Sequence, residues 1–316
     1  MNQEFRVNTF DDFIGQEKLI KTLKIIIASA KEQTRPIDHL LFYGPPGLGK
    51  TSLAKIIANE LNGSIVYVQG PMIEKKSDIL TIFSSIKDND IIFIDEIHSI
   101  NKNVEELFYS ALEDRVIDIA LGVEGNKKIM RLNLKNFSLI GATTKLNLVS
   151  KPLKDRFGYI GKLLPYNSEE IKNIILNSAK RNNISITEEA ANYIAIHSRQ
   201  TPRIANNLLK RVNDFSIFNK QDKITVQIVK NSFKYLDVHM FGLYQPQIEY
   251  LKTLKNIFKE KFASLETISS ITRDDKYTIL NEIEPLLIVN NLIEKGPRGR
   301  RITKEGSKYL SDLDII

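Results

Sequence analysis

Eight residues, Gly44 to Thr51, constrain this chain more than any other stretch. They read GPPGLGKT, which fits G-x-x-x-x-G-K-[ST], and they stand between the apolar run LLFY at Leu40 to Tyr43 and the helically spaced segment Ser52 to Leu61. The order is strand, glycine loop, helix. Glycines let a backbone fold round a phosphate with its N–H groups inward, and the helix N-terminus adds positive potential there. In that frame Lys50 neutralises β- and γ-phosphate charge and Thr51 places its hydroxyl on Mg²⁺. A nucleotide with Mg²⁺ is therefore the expected ligand.

A second segment, IIFIDEIH, supplies the other half of a hydrolytic site. Its four apolar residues make a buried strand, with Asp95 and Glu96 at the C-terminal end, where ligands of parallel sheets bind. Asp95 is expected to hold Mg²⁺ and Glu96 to orient and polarise the attacking water, which favours hydrolysis over binding alone. His98 belongs to no metal set, because the four histidines are scattered and there is no Cys, so it is expected to be structural or positioning. Thr143 and Thr144 in GATT end another strand; a hydroxyl there bonds either the γ-phosphate or water, or only caps the strand. Two cations stand out. Arg203 in TPRIA sits in the first turn of a helix, where the macrodipole disfavours it and where an anion would be trapped. Arg156 in KPLKDRFG follows a loop on a different side of the sheet, so it could serve a neighbouring subunit's nucleotide as an arginine finger.

Strands at Leu40 to Tyr43, Ser64 to Val68, Ile91 to Ile94 and Phe137 to Ile140 alternate with helical patterns near Ser77 to Ile86 and Val104 to Leu112. That order argues an α/β parallel sheet covered on both faces. Residues 117–135 break it with alternating residues about Gly122 to Gly125, a β-hairpin insertion that is either plain surface or a partner's dock. After Pro165 the pattern is helical. Ser168 and Thr187 are candidate N-caps, and Thr201 with Pro202 opens a third helix. Past residue 240, one helical face at Ile248, Leu251, Leu254, Phe258 and Phe262, a short helix at Leu265 to Thr272 and a stretch at Tyr277 to Ile288 broken near Pro285 precede LIEKGPRGRRIT. Three helices closed by a two-stranded wing is a winged-helix order. The expected domains are 1–166 (ATPase), 167–240 (helical lid) and 241–316 (winged helix).

Charge sharpens the last assignment. The chain of 316 residues has 45 Lys plus Arg against 38 Asp plus Glu. The excess is +2 in 1–165, +5 in 166–235 and zero in 236–316. Yet Lys295, Arg298, Arg300, Arg301 and Lys304 crowd the wing with no acid among them, a patch suited to nucleic acid. The absence of Cys excludes disulfides, thiolate zinc and Cys nucleophiles, and fits a reducing cytoplasm. The N-terminus has no secretory pattern, and no apolar run approaches the roughly 18 residues of a membrane span.

Taken in order, GPPGLGKT, DEIH, GATT, DRFG and TPRIA resemble an AAA+ ATPase. FDDFIGQE at Phe10 to Glu17, TPRIANNLLKRVNDF and EPLLIVNNLIEKGPRGR narrow the resemblance to the RuvB family, over nearly the whole chain. It implies an ATP-driven homohexameric ring on duplex DNA that moves Holliday junctions, with RuvA holding the junction and RuvC as resolvase partner. By the same resemblance Gly47, Gly49, Lys50, Thr51 and Ser52 contact phosphate and Mg²⁺, Thr144 is catalytic, Arg156 is the finger and Arg203 the second sensor. Arg6 and Tyr166 lie around the nucleotide, and Asp114, Arg115 and Val116 lend backbone. RuvA would dock on the hairpin through residues such as Ile129, and Lys276, Lys295, Arg298 and Arg300 would touch DNA phosphates. A clamp-loader subunit or replication initiator is the alternative expectation.

Overall fold

The computed structural model describes residues 7–121 and 128–313, without the side chains of 119–121, 128 and 129. It divides into two compact units: residues 1–170 with 201–203, and residues 171–200 with 204–316.

The first unit is built on a five-stranded parallel sheet: β1 (Leu40–Tyr43), β2 (Ile65–Gln69), β3 (Asp90–Asp95), β6 (Phe137–Thr143) and β7 (Tyr159–Lys162). Its order is β2-β3-β6-β1-β7, so β6 is central, and all seven of its residues are buried. The strands read as apolar runs because both faces are covered. Burying each Ile or Leu of such a run contributes about 1.5–3 kcal/mol. The edge strand β7, YIGK, buries only Gly161 fully, so it leaves no apolar run to notice, and the sequence pattern missed it. Helix α1 (Glu17–Glu32), also missed, buries Leu19, Ile20, Leu23, Ile27 and Ala30, one helical stripe. Helices α2 (Lys50–Glu60), α3 (Lys76–Ser85), α4 (Lys102–Glu113) and the single turn α5 (Lys151–Lys154) complete the unit. The insertion is a hairpin of β4 (Val116–Leu121) and β5 (Lys128–Asn133), in antiparallel register Val116↔Asn133. An ion pair between Asp118 and Arg131, with two bonds of 2.8 Å, crosses it.

One buried side chain ties α4 to this sheet. His39 Nε2 meets Leu112 O at 3.1 Å while its Nδ1 accepts from Leu139 N at 2.9 Å. The neutral ring thus satisfies both ends, and burial lowers its pKa to about 4.

The second unit holds helices α6 (Ser168–Arg181, from Ile171 onward), α7 (Glu188–Ile196), α8 (Pro202–Phe218, from Ile204 onward) and α9 (Val226–Leu236). The N-cap of α6 is Asn167, not Ser168: Asn167 Oδ1 accepts from Glu170 N, and Glu170 Oε2 from Asn167 N, both at 2.8 Å. This reciprocal pair is a capping box, which needs its acid three residues on, and only Asn167 has one there. Thr187 caps α7 as expected, accepting from Ala190 N at 3.2 Å.

The rest of that unit is a winged helix: α10 (Gln245–Asn256), α11 (Leu265–Thr272), α12 (Lys276–Thr278), α13 (Glu284–Val289), β8 (Ile293–Gly296), β9 (Gly299–Ile302) and α14 (Lys304–Leu313). Helix α10 stops at Asn256 rather than running to Phe262, because Lys259 and Glu260 take left-handed backbone. Pro285 does not break its helix. A π-turn at Ile279–Ile283 absorbs the missing N–H, and the chain passes from α12 into α13. That turn leaves Glu284 wholly buried against the core of Ile248, Leu251, Leu254 and Leu287.

Candidate nucleotide-hydrolysis site

The loop from Gly44 to Gly49 crosses from the C-terminal end of β1 to the first turn of α2. Gly47 and Gly49 have φ of +82° and +107°; a Cβ would meet Arg203 Cβ at 2.9 Å from the first and Phe13 Cζ at 3.0 Å from the second. Both glycines are therefore required by backbone and by space. Lys50 is buried at the start of α2, with Nζ donating to Gly44 O at 2.8 Å and Pro45 O at 2.9 Å. Burial pushes its ammonium below the usual lysine range, against the pull of Asp95 and Glu96. Thr51 and Ser52 follow in the same first turn, half-buried.

Asp95 ends β3, two strands from β1, and burial raises its carboxyl above the ordinary range. Glu96 has left-handed backbone, φ 50° and ψ 45°, costly for a residue with a side chain. Its Oε2 accepts from Thr144 Oγ1 at 3.2 Å and lies 3.2 Å from His98 Nδ1. The same nitrogen is 2.8 Å from Thr143 Oγ1. The strand end GATT thus reaches Glu96 twice, directly through Thr144 and indirectly through Thr143 and His98. Sequence spacing alone does not show this link, which arises because β3 and β6 are neighbours.

Around the loop, Tyr166 is buried and donates from its hydroxyl to Leu48 O at 3.1 Å. Burial drives its phenol well up. Gln16 exchanges two bonds with the backbone of Leu164, at 2.6 and 3.1 Å, which fixes the FIGQ segment beside Tyr166. The FDDFIGQE motif gives no role to Phe13 or Gln16 singly; their contacts with Gly49 and Leu164 put them beside the phosphate loop. Arg203 N donates to Gly47 O at 3.3 Å, and its side chain is exposed. Arg6 lies outside the described residues, as does the side chain of Ile129.

Arg156 and Asp114 to Val116 are at the other end of the sheet. The turn after Arg156 bonds Gly158 N to His39 O, just before β1, and Arg115 Nη1 donates to Phe137 O, the first residue of β6. Four residues of β1 and seven of β6 separate these groups from the phosphate loop. At about 3.3 Å per residue that is on the order of 13–23 Å, beyond the reach of an arginine side chain within one subunit.

In the wing, Arg298 is exposed at the turn and has no ion pair among the described residues. Lys276 pairs with Glu266 at 2.6 Å and is half exposed. Arg300 is buried, with Nε donating to Glu284 Oε1 at 2.5 Å, and Lys295 Nζ stands 2.6 Å from the other oxygen. Burial would raise the Glu284 carboxyl, but Arg300, Lys295 and Tyr250 together hold it below the usual range. No described helix is long and apolar enough to cross a membrane.

A phosphate loop, a strand-end Asp-Glu pair, a hydroxyl-bearing neighbouring strand, a helical lid and a winged helix define a P-loop ATPase of the AAA+ class. Family models match three consecutive spans: a Holliday junction DNA helicase RuvB P-loop domain at 5–163, a RuvB AAA lid domain at 166–239 and a RuvB C-terminal winged helix domain at 240–311. The chain belongs to the RuvB family. It is 55% identical over 311 residues, 98% of its length and 99% of the relative's, to the Holliday junction branch migration complex subunit RuvB of Mycoplasmopsis pulmonis. It is 50% identical to that of Mesomycoplasma hyopneumoniae, over 99% of this chain and 98% of the relative. A solved Thermotoga maritima RuvB, described as a Holliday junction branch migration motor, superposes with a TM-score of 0.81 at 38% identity, covering 98% of this chain and 99% of that one. The clamp-loader and initiator alternatives are not favoured, since all three domains match RuvB models.

Proposed function

We infer that this chain is an ATP-driven motor that promotes branch migration of Holliday junctions in DNA recombination and repair, acting in the cytoplasm as a homohexameric ring on duplex DNA beside RuvA, with RuvC as resolvase partner. The observation that carries the reading is likeness over the whole chain, lid and wing included, to subunits named for the branch migration complex. The residues fit ATP with Mg²⁺. A desolvated lysine and inward glycines suit a polyanion, while Thr51 and Asp95 supply the oxygens that the metal takes. Held by Thr51 and Asp95, Mg²⁺ would supply neutralisation of phosphate charge.

Lys50 holds the phosphates, aided by the N–H groups of Gly47, Gly49, Thr51 and Ser52. Glu96 orients the attacking water and accepts its proton, and Thr144 couples that carboxylate to the end of β6. Arg203 reads the γ-phosphate from the first turn of α8. Tyr166, with Arg6, borders the nucleotide. Arg156 and the backbone of Asp114, Arg115 and Val116 face the nucleotide of a neighbouring subunit; their distance from their own phosphate loop supports this assignment. Lys276, Lys295, Arg298 and Arg300 touch DNA phosphates, and Arg300 and Lys295 also fix the wing to Glu284. The hairpin is the surface offered to RuvA.

The test is ATP turnover with and without duplex DNA and RuvA, together with electron microscopy on DNA. Turnover raised by both, with six-membered rings around duplex, is the expected result. An open spiral indifferent to RuvA would overturn it.

A further inference from the structure

Arg156 does not project from a bare loop. Its guanidinium carries five N–H groups, of which three have acceptors. Nε donates to Tyr109 O at 3.2 Å, Nη1 to Pro152 O at 2.8 Å and Nη2 to Glu113 Oε2 at 2.9 Å. The group lies 4.7 Å above the Tyr109 ring. Tyr109 is itself fixed: its hydroxyl donates to Glu105 Oε1 at 2.7 Å and sits 3.2 Å from Ser150 Oγ. Ser150 in turn donates to the buried Glu105 and caps α5 by accepting from Leu153 N at 3.2 Å. Helix α4 therefore supplies a ring beneath the guanidinium and a carboxylate at its edge. Two N–H groups, one on each terminal nitrogen, have no acceptor among the described residues.

We propose that Glu113 is a positioning residue for ATP hydrolysis in the adjacent subunit, holding the Arg156 guanidinium edge-on so that its two unengaged N–H groups meet the neighbour's γ-phosphate. The proposal rests on the reading of Arg156 as a finger acting in trans. Arginine has many rotamers, and a finger that must find its geometry in the transition state loses much of its effect; the Glu113 bond removes that freedom beforehand. The Glu113 side chain is 63% exposed, so water screens its charge, and it orients the guanidinium without cancelling it. In the sequence it is only the last residue of α4.

The experiment uses the full chain assembled on duplex DNA. Glu113→Gln keeps shape and an acceptor oxygen while removing charge; Glu113→Ala removes the acceptor. Glu113→Ala is expected to lower kcat roughly 10- to 100-fold and Glu113→Gln to restore most of it, while KM for ATP stays within about 2-fold in both, since Glu113 touches no nucleotide of its own. Melting temperature and ring assembly should match the unsubstituted protein. The trans assignment is read in mixed rings. Glu96→Gln subunits cannot turn over ATP but offer an intact finger, so mixing them with Glu113→Ala subunits should give more activity than the two separately. Arg156→Ala mixed with Glu96→Gln is the reference. If Arg156→Ala is rescued and Glu113→Ala keeps full kcat alone, or is slow and not rescued, Glu113 has no positioning role. If Arg156→Ala itself retains turnover, the finger reading fails, and this proposal with it.

Discussion

The phosphate loop and the wing both bury charge, and they do so in opposite senses. Around the loop, burial moves Lys50 down and Asp95 up, each toward its neutral form. In the wing, Glu284 is wholly buried yet held toward its ionised form, because Arg300, Lys295 and Tyr250 answer it. A buried charge answered by its neighbours in this way holds the wing together, whatever else it does. The ion pair gives Arg300 a place in that frame which its position in the basic run does not show.

The sharpest way to break this contrast is to alter the loop. Lys50→Ala should weaken ATP binding roughly 10²- to 10³-fold by fluorescent-nucleotide titration, the cost of leaving phosphate charge unanswered. Glu96→Gln should bind ATP normally and lose about 10²- to 10⁴-fold in turnover. Equal loss of binding in both would erase the distinction between holding and hydrolysing groups.

The wing should fail differently. Glu284→Ala leaves Arg300 buried without a partner and should cost about 3–5 kcal/mol in urea unfolding. Replacing Glu284, Arg300 and Lys295 together by Met should recover most of it, since no uncompensated charge remains. Failure of the triple variant to recover would mean that the network does more than satisfy itself.

A smaller effect comes from His39. Its folded pKa of about 4 lies below the unfolded value near 6.5, so the neutral ring's stabilisation is complete above pH 6.5 and is lost as pH falls toward 4. About 3 kcal/mol should disappear across that window, and His39→Gln should flatten the pH profile of unfolding there. A profile unchanged by the substitution would remove His39 from the account. Smallest is Arg298→Ala, expected to lower the slope of log affinity against log salt by about 1 without changing sequence preference. Loss on one sequence only would contradict a phosphate contact.

Much of this was legible in the chain. The central strands and the phosphate loop announce themselves because a parallel sheet buries both faces and leaves unbroken apolar runs. Strand β7 escaped notice because an edge strand does not. Asn167 was passed over for Ser168 because a cap depends on what stands three residues on. The His98 link to Glu96 and the Glu113 bond to Arg156 join residues whose nearness depends on strand order and helix packing, which no local pattern records. The Arg300 bond to Glu284 was hidden because a count of positive charges says nothing of an acid brought beneath them after a π-turn.

The placement of the two arginines at opposite ends of one sheet has an arithmetic consequence. On the trans reading, a subunit that takes its water-activating carboxylate at one end of the sheet and gives its finger at the other is half of two sites and the whole of none. Two such subunits joined head to tail make one complete site and leave one unfinished, and an open row of any length keeps that deficit at its end. Only a closed circuit has no end, so closure itself supplies the last active site.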